Sequence, residues 1–363
     1  MNPDAKRFGR GTKFISVMDI LNNQFICYDN IRASVEVIDG DIETYGVNYG
    51  DILFQRSSET LEDVGQANVY LDNKPAVFGG FVIRGKSKGN YHSVFFRYLL
   101  ASPTARKRII VKGAGAQHFN IGQDGLSKVC LNIPSIQEQE KIAKLLECID
   151  TRIATQNKII EKLKSSIRGI SNKLLYVDNG SPIRLGDILS ERTERTKENN
   201  QHEVLSSTVK GLFQQREYFS KDIASENNVG YKIIFLHDVV LSPQNLWMGN
   251  INYNNKFNIG IVSPSYKIFS IVEGYDKRFV AAMLKTHRAL YNYMLASEQG
   301  ASIVRRNLNM ESFEQLIFKM PPFDKQQKTG NAISTLQTRL ESAIGIKTAY
   351  ELQKQWLLKQ MFI

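Results

Sequence analysis

The 363-residue chain carries 47 Lys and Arg against 36 Asp and Glu, a formal charge of +11, and 42% of its residues are hydrophobic. That length allows two or three domains, each burying its own core, and the basic balance favours polyanion partners, nucleic acid first. No stretch nears the roughly 18 apolar residues of a membrane span and no basic-then-apolar leader opens the sequence, so no membrane partner and a cytoplasmic setting are expected.

Residues 1–133 read as a first globular unit of mixed strand and helix. Residues 9–20 form a basic, turn-rich opening; Val47–Arg56 and Ala76–Arg84 read as strands, with Asp72 to Pro75 turning between strand-like runs. Val94–Leu100 and Pro103–Ile110 read as short helices, Gly113–His118 as a turn-forming loop and Lys128–Ile133 as a final strand. Cys27, Cys130 and Cys148 show no metal-ligand spacing and are expected to be buried free thiols.

From Ser135 to about Leu175 the pattern becomes that of one long helix. Pro134 disfavours helix before it, and Ser135 with Glu138 has capping-box spacing. One seam row is Ile142, Ile149, Gln156, Leu163 and Ile170; the other is Leu146, Ile153, Ile160, Ile167 and Leu174. An apolar seam alternating three and four residues, with charged flanks, predicts a coiled coil, and Gln156 is placed to fix its register. At 1.5 Å per residue, roughly 40 residues make a rod of about 60 Å.

Gly180-Ser181-Pro182 ends that helix and opens a second unit over 180–320, with strands near Lys232–Leu241 and Ser265–Ile271, a helix over Arg278–Ala296 and a loop over Gly300–Arg306. A second long helix covers 321–363, capped by Asp324 with Gln327. Its seam holds Ile333, Leu336, Leu340, Ala343, Tyr350, Leu357 and Met361, interrupted by Thr329, Lys347 and Lys354.

Shifted by 187 residues, the sequence lies over itself. Gly113 meets Gly300, Asn120 meets Asn307, Pro134 meets Pro321, and Tyr49–Phe54 lies over Leu236–Leu241. Gln139, Lys141, Thr151 and Arg152 return as Gln326, Lys328, Thr338 and Arg339. One offset across separated blocks indicates a duplicated unit, a globular domain followed by a long helix. Pairing the two helices antiparallel would bury both seams. The fold class is therefore α/β (α+β): globular domains over 1–133 and 180–320, separated by spacer helices over 134–179 and 321–363 that form an antiparallel coiled coil. Ile183–Asp187 opens the second unit with no counterpart in the first, which reads as shortened.

No GxxxxGK[ST] loop occurs, and Gly113-Ala114-Gly115 lacks the third glycine of a dinucleotide fingerprint. The five histidines have no HxxxH or HxH spacing, so no metal is expected. Asp72-Asn73-Lys74 reads as a turn rather than a nuclease fragment, and Met320 ahead of Pro321-Pro322-Phe323 cannot hold a target amine by a hydrogen bond. No catalytic residue and no cofactor is expected.

Two globular units, each followed by a long helix that in the first starts Ile133-Pro134-Ser135-Ile136-Gln137-Glu138-Gln139-Glu140-Lys141-Ile142, resemble the DNA-specificity subunit of type I restriction-modification systems. Gly50-Asp51-Ile52-Leu53-Phe54-Gln55-Arg56-Ser57 resembles the strand motif of its target-recognition domains, Gly113–Ile121 the Gly-rich loop ahead of the final strand, and Ile183–Asp187 the opening of such a domain. The resemblance implies a non-catalytic reader of a bipartite target in double-stranded DNA. It also implies helices that dock DNA adenine methyltransferase subunits, with motor-nuclease restriction subunits supplying the remaining chemistry. DNA contacts are expected from loops that the repeat makes equivalent: Arg56 and Ser57, then Gln244, Asn245 and Trp247, after the strand motifs; Lys112, Gln117 and His118, then Arg305 and Arg306, in the Gly-rich loops. Arg, Gln and Asn carry the paired donors and acceptors that read base edges, while Lys anchors phosphate. Arg106, Lys107 and Arg108 are candidates for a phosphate track. The alternatives are a coiled-coil scaffold joining two protein-binding domains and a self-contained enzyme acting on DNA.

Overall fold

The structure, a computed structural model, describes residues 1–175, 180–218, 227–299 and 306–362. It divides into two compact units: residues 1–157 with 345–363, and residues 158–344. Each unit joins a globular head to parts of both long helices.

In unit 1, strands β1 (Phe8–Ile15), β2 (Ala33–Val35), β3 (Gly46–Val47) and β7 (Ala76–Phe78) form one sheet in the order β2-β1-β7-β3. Strands β4 (Ile52–Gln55), β6 (Ala67–Val69) and β8 (Val82–Gly85) form a second in the order β6-β4-β8, and β5 (Ser57–Ser58) pairs with β9 (Phe119–Asn120). Helices α1 (Val17–Asn22), α2 (Asp41–Tyr45), α3 (Ser93–Ala101), α4 (Pro103–Ile110) and α5 (Gln123–Ser127) complete the head. Ile15, Ile20, Ile26, Leu53 and Tyr70 are fully enclosed in its core. Each such side chain contributes about 1.5–3 kcal/mol on burial.

Unit 2 places β11 (Leu189–Arg192), β15 (Val239–Leu241), β16 (Ile251–Tyr253) and β18 (Lys267–Ile271) in one sheet, in the order β11-β18-β15-β16. The remaining strands form two-stranded ladders: β10 (Ser181–Arg184) with β21 (Ile317–Met320), β12 (Leu205–Thr208) with β13 (Gly211–Gln214), β14 (Lys232–Phe235) with β17 (Ile259–Val262), and β19 (Ser297–Gln299) with β20 (Arg306–Leu308). Its short helices are α7 (Gln215–Tyr218), α8 (Lys277–Met283), α9 (His287–Leu295) and α10 (Met310–Glu314). Phe269, Phe279, Tyr293 and Phe313 centre the core.

The repeat is physical as well as textual. β4 lies between β6 and β8 as β15 lies between β16 and β18, and Leu53 and Val240, 187 residues apart, are both fully buried. The Asp51 carboxylate accepts the N–H of Asn48 at 3.0 Å, and Asp238 accepts that of Phe235 at 2.9 Å. Each carboxylate closes a turn whose preceding residue has positive φ: +86° at Gly50, +76° at His237. These turns break the expected continuous strands Val47–Arg56 and Lys232–Leu241. Gly79-Gly80 breaks Ala76–Arg84 in the same way, and Thr286 splits the helix expected over 278–296 by capping α9, its hydroxyl accepting the N–H of Ala289.

Helices α6 (Ile136–Leu174) and α11 (Phe323–Gln360) are 39 and 38 residues long. On α6 the seam residues Ile142, Leu146, Ile149 and Ile160 are buried and Gln156 is half-buried; Ala143 and Asp150 beside the seam are buried too, while Lys144, Leu145, Cys148 and Lys158 face solvent. Cys148 lies on the exposed side, Cys130 is exposed and Cys27 is half-buried, so the thiols are free but not sequestered as expected. Only half of the capping box forms: the Glu138 N–H donates to Ser135 Oγ at 3.4 Å. Asp324 sits inside the first turn of α11 rather than ahead of it. In unit 1 the two helices run antiparallel. Ile142 and Leu146 share a cluster with Leu357, Met361 and Phe362, the Lys354 ammonium meets Asp150 at 2.5 Å, and Arg152 donates to the Tyr350 hydroxyl at 3.4 Å. In unit 2, Ile170, Leu175 and Ile333 join the head's own core.

The final strand expected over Lys128–Ile133 does not form, whereas its repeat counterpart is β21. The difference is a partner: β10 covers β21, and no strand covers 128–133 among the described residues.

Candidate nucleic-acid interface

In unit 1 the strand motif runs out of the core at Gln55 and its chain emerges at Arg56, which is exposed. The Arg56 N–H donates to the Phe81 carbonyl at 2.9 Å, and the Arg56 carbonyl accepts the N–H of Ile121 at 2.9 Å. Ser57 pairs with Asn120 across β5 and β9, and its hydroxyl bonds the Asn120 side chain. The Gly-rich loop is thereby fastened beside the end of the strand motif. Within it, Gly115 has φ +143°, and a Cβ there would lie 2.0 Å from the His118 carbonyl, so only glycine closes this turn. Gln117 and His118 are exposed at the loop tip and Lys112 at its base. Around this junction Arg56, Gln117 and His118 are exposed and Ser57 is half-buried.

Unit 2 repeats the juxtaposition with different side chains. After β15 the chain turns through Ser242–Asn250; the Asn245 carbonyl accepts the N–H groups of Met248 and Asn250, at 3.1 and 3.2 Å. Gln244 is exposed, and its carbonyl accepts the N–H of Arg306 at 3.3 Å. The Arg306 guanidinium carbon lies 6.0 Å from the Trp247 ring centroid, a cation–π distance, and one terminal nitrogen reaches the Ser297 carbonyl at 3.4 Å. Trp247 Nε1 and Arg306 Nε are shielded donors without an acceptor among the described residues. Gln244, Asn245, Trp247 and Arg306 are brought together; Arg305 lies outside the described residues.

Among the described residues no group of His, Cys, Asp or Glu is arranged to hold a metal ion, and no helix is long and apolar enough to cross a membrane.

Residues 1–165 match the family described as type I restriction modification DNA specificity domain. Over 138 residues the chain is 31% identical to the type I restriction enzyme MjaX specificity subunit of Methanocaldococcus jannaschii, an alignment covering 37% of this chain and 32% of the relative. The chain thus spans about a third of the length of the curated relative it matches. Its fold is similar to the S subunit of a type I restriction-modification system from M. genitalium, with a TM-score of 0.56 at 14% identity over 98% of this chain and 93% of the other. Over its first 165 residues the chain is thus similar to the type I DNA specificity domain family.

The basic run on α4 is not one continuous anion surface. The Arg106 guanidinium donates to the carbonyls of Glu62 and Val64 at 2.8 and 2.7 Å, and burial pushes its pKa below the ordinary value. Arg108 donates to the Cys130 carbonyl at 2.7 Å, leaving Lys107 exposed. Both arginines therefore pin neighbouring loops. The composition of the run could not show this, because a guanidinium fits a carbonyl as well as a phosphate.

Sequence reasoning missed two polar clamps at the helices. Gln139, buried to 3% exposure, accepts the His92 N–H at 3.0 Å and donates to the Pro134 carbonyl at 2.9 Å. Gln326, also 3% exposed, accepts the Asp276 N–H at 3.1 Å and donates to the Pro321 carbonyl at 2.8 Å. In both units the same side chain ties the start of a long helix to the residue that caps a head helix, α3 or α8. Their repetition at the constant offset was the available signal.

Proposed function

We propose that this chain acts as a type I specificity subunit, a non-catalytic reader of a bipartite sequence in double-stranded DNA, each head contacting one half of the target. The observation that carries this reading is the recurrence, in both heads, of a strand-motif end fastened beside a second loop. One pair presents Arg56, Ser57, Gln117 and His118; the other presents Gln244, Trp247 and Arg306. These side chains supply the bidentate donors and acceptors that distinguish base edges, while Lys112 serves phosphate. Arg305 is carried as a further contact from its place in the repeat.

The long helices set the unread gap between half-sites. About 60 Å of helix compares with about 34 Å per turn of duplex, so half-sites one to two turns apart are spanned. We assign to the same helices the docking of DNA adenine methyltransferase subunits, and to motor-nuclease restriction subunits the cleavage chemistry, all in the cytoplasm. No cofactor or metal enters this role.

Co-purification with a methyltransferase partner, followed by mapping of methylated adenines, tests the proposal. A split recognition sequence is expected; failure to bind any such partner contradicts it. Titration with salt separates the reader from a protein scaffold, since a reader loses duplex affinity steeply as salt rises.

A further inference from the structure

In unit 2 the segment leading into α11 is β21, and its edge is covered. β10 lies along it antiparallel, from Ser181 opposite Met320 to Arg184 opposite Ile317, and the Leu185 N–H continues the ladder to the Leu316 carbonyl at 2.8 Å. Leu185 is fully buried there.

Cys130–Ile133 leads into α6 in the same way but pairs with no strand, and among the described residues its four backbone N–H groups have no hydrogen-bond partner. Cys130, Asn132 and Ile133 are exposed. Such an edge is a template for strand addition. A second observation is independent of the backbone. Beside this edge lies a groove of about 330 Å³, lined by Phe95, Leu99, Leu131, Ile133, Met361 and Phe362. The corresponding groove of unit 2, bounded by Leu175, Met283 and Phe318, is about 30 Å³.

We propose that the edge 130–133 and its groove form a docking site for an extended segment of another polypeptide, with the sequence character of β10 and the residues after it. That character is a small residue, a proline tolerated at a sheet edge, an apolar residue, a basic residue and a leucine that enters the groove. A second copy of this chain is the poorer occupant, because its own Ser181–Arg184 is already engaged in four register pairs with β21.

Hydrogen exchange on the full chain, with and without a synthetic peptide of the sequence of residues 180–187, tests this. In the chain alone the amides of 130–133 exchange fast and those of 317–320 slowly. The peptide selectively slows 130–133 and binds with saturable fluorescence anisotropy. A peptide carrying Ile183→Asp and Leu185→Asp binds at least about tenfold more weakly, since two apolar contacts are lost. Equal slow exchange at both segments without peptide, or no protection at millimolar peptide, overturns the proposal. Protection that instead grows with chain concentration assigns the edge to a second copy and also overturns it.

Discussion

The side-chain oxygen of Gln139 receives the backbone N–H of His92 at 3.0 Å, fixing the start of α6 against the capping residue of α3. Gln326 does the same for α11 through Asp276. Truncating either to alanine leaves a shielded N–H and a carbonyl without partners, so Gln139→Ala and Gln326→Ala each cost about 1–3 kcal/mol. Because the two side chains share no partner, the double variant sums them within about 0.5 kcal/mol. Urea unfolding of the three variants measures this; an unchanged midpoint contradicts it.

Asp150 is the polar centre of the helix pair in unit 1. It accepts from Lys354 at 2.5 Å, from the Tyr98 hydroxyl at 2.7 Å and from Gln24 at 3.0 Å. Burial, then the bond to Asp150, raises the Tyr98 phenol well above its ordinary pKa. Asp150→Ala strands a buried hydroxyl and an ammonium, at a cost of about 3 kcal/mol. Lys354→Met leaves Asp150 with two donors and is expected to cost about 1 kcal/mol. The order of the two urea midpoints decides the point.

His237 provides a pH signature. Burial first, then the nearby Lys277 and Arg278, lowers its pKa from 6.5, while its Nδ1 lies 2.6 Å from the Tyr253 hydroxyl. A lowered pKa means the unfolded chain binds the proton more readily, so stability falls as pH drops below about 7 and levels off beneath the folded pKa. Adjacent Asp238 acts in the opposite sense at lower pH: burial raises its carboxyl above 3.8, so its contribution becomes more favourable as pH falls. His237→Asn accepts the same positive φ and isolates the first effect. The variant's midpoint is expected to lack the decline between pH 7 and the folded pKa that the parent shows.

Phosphate and base contacts separate by salt. Lys112→Ala is expected to weaken all duplexes alike and to reduce the slope of log affinity against log salt by about 1. Gln244→Ala is expected to leave that slope unchanged and to relax preference at one position of the target.

Much of this architecture was legible because periodicity and repetition survive in one sequence. The seam residues from Ile142 to Ile170 lie buried or half-buried, and the 187-residue offset reappears in the equivalent turns of Asp51 and Asp238. What was hidden depended on partners distant in sequence. Lys354 reads as an interruption until Asp150 lies opposite, and Arg106 reads as a surface cation until Glu62 and Val64 turn their carbonyls toward it. Likewise 128–133 has strand composition, but a strand needs a neighbour, and in unit 1 none lies beside it among the described residues. The grouping of Gln244, Trp247 and Arg306 follows from the repeat; the stacking of Arg306 on Trp247 does not.

The most direct measurement is the methylation pattern produced by this chain with its methyltransferase partner, read by sequencing for the parent, Arg56→Ala and Trp247→Ala. A split target is expected, in which Arg56→Ala relaxes one half and Trp247→Ala only the other. A contiguous target, or both variants relaxing the same half, would contradict it.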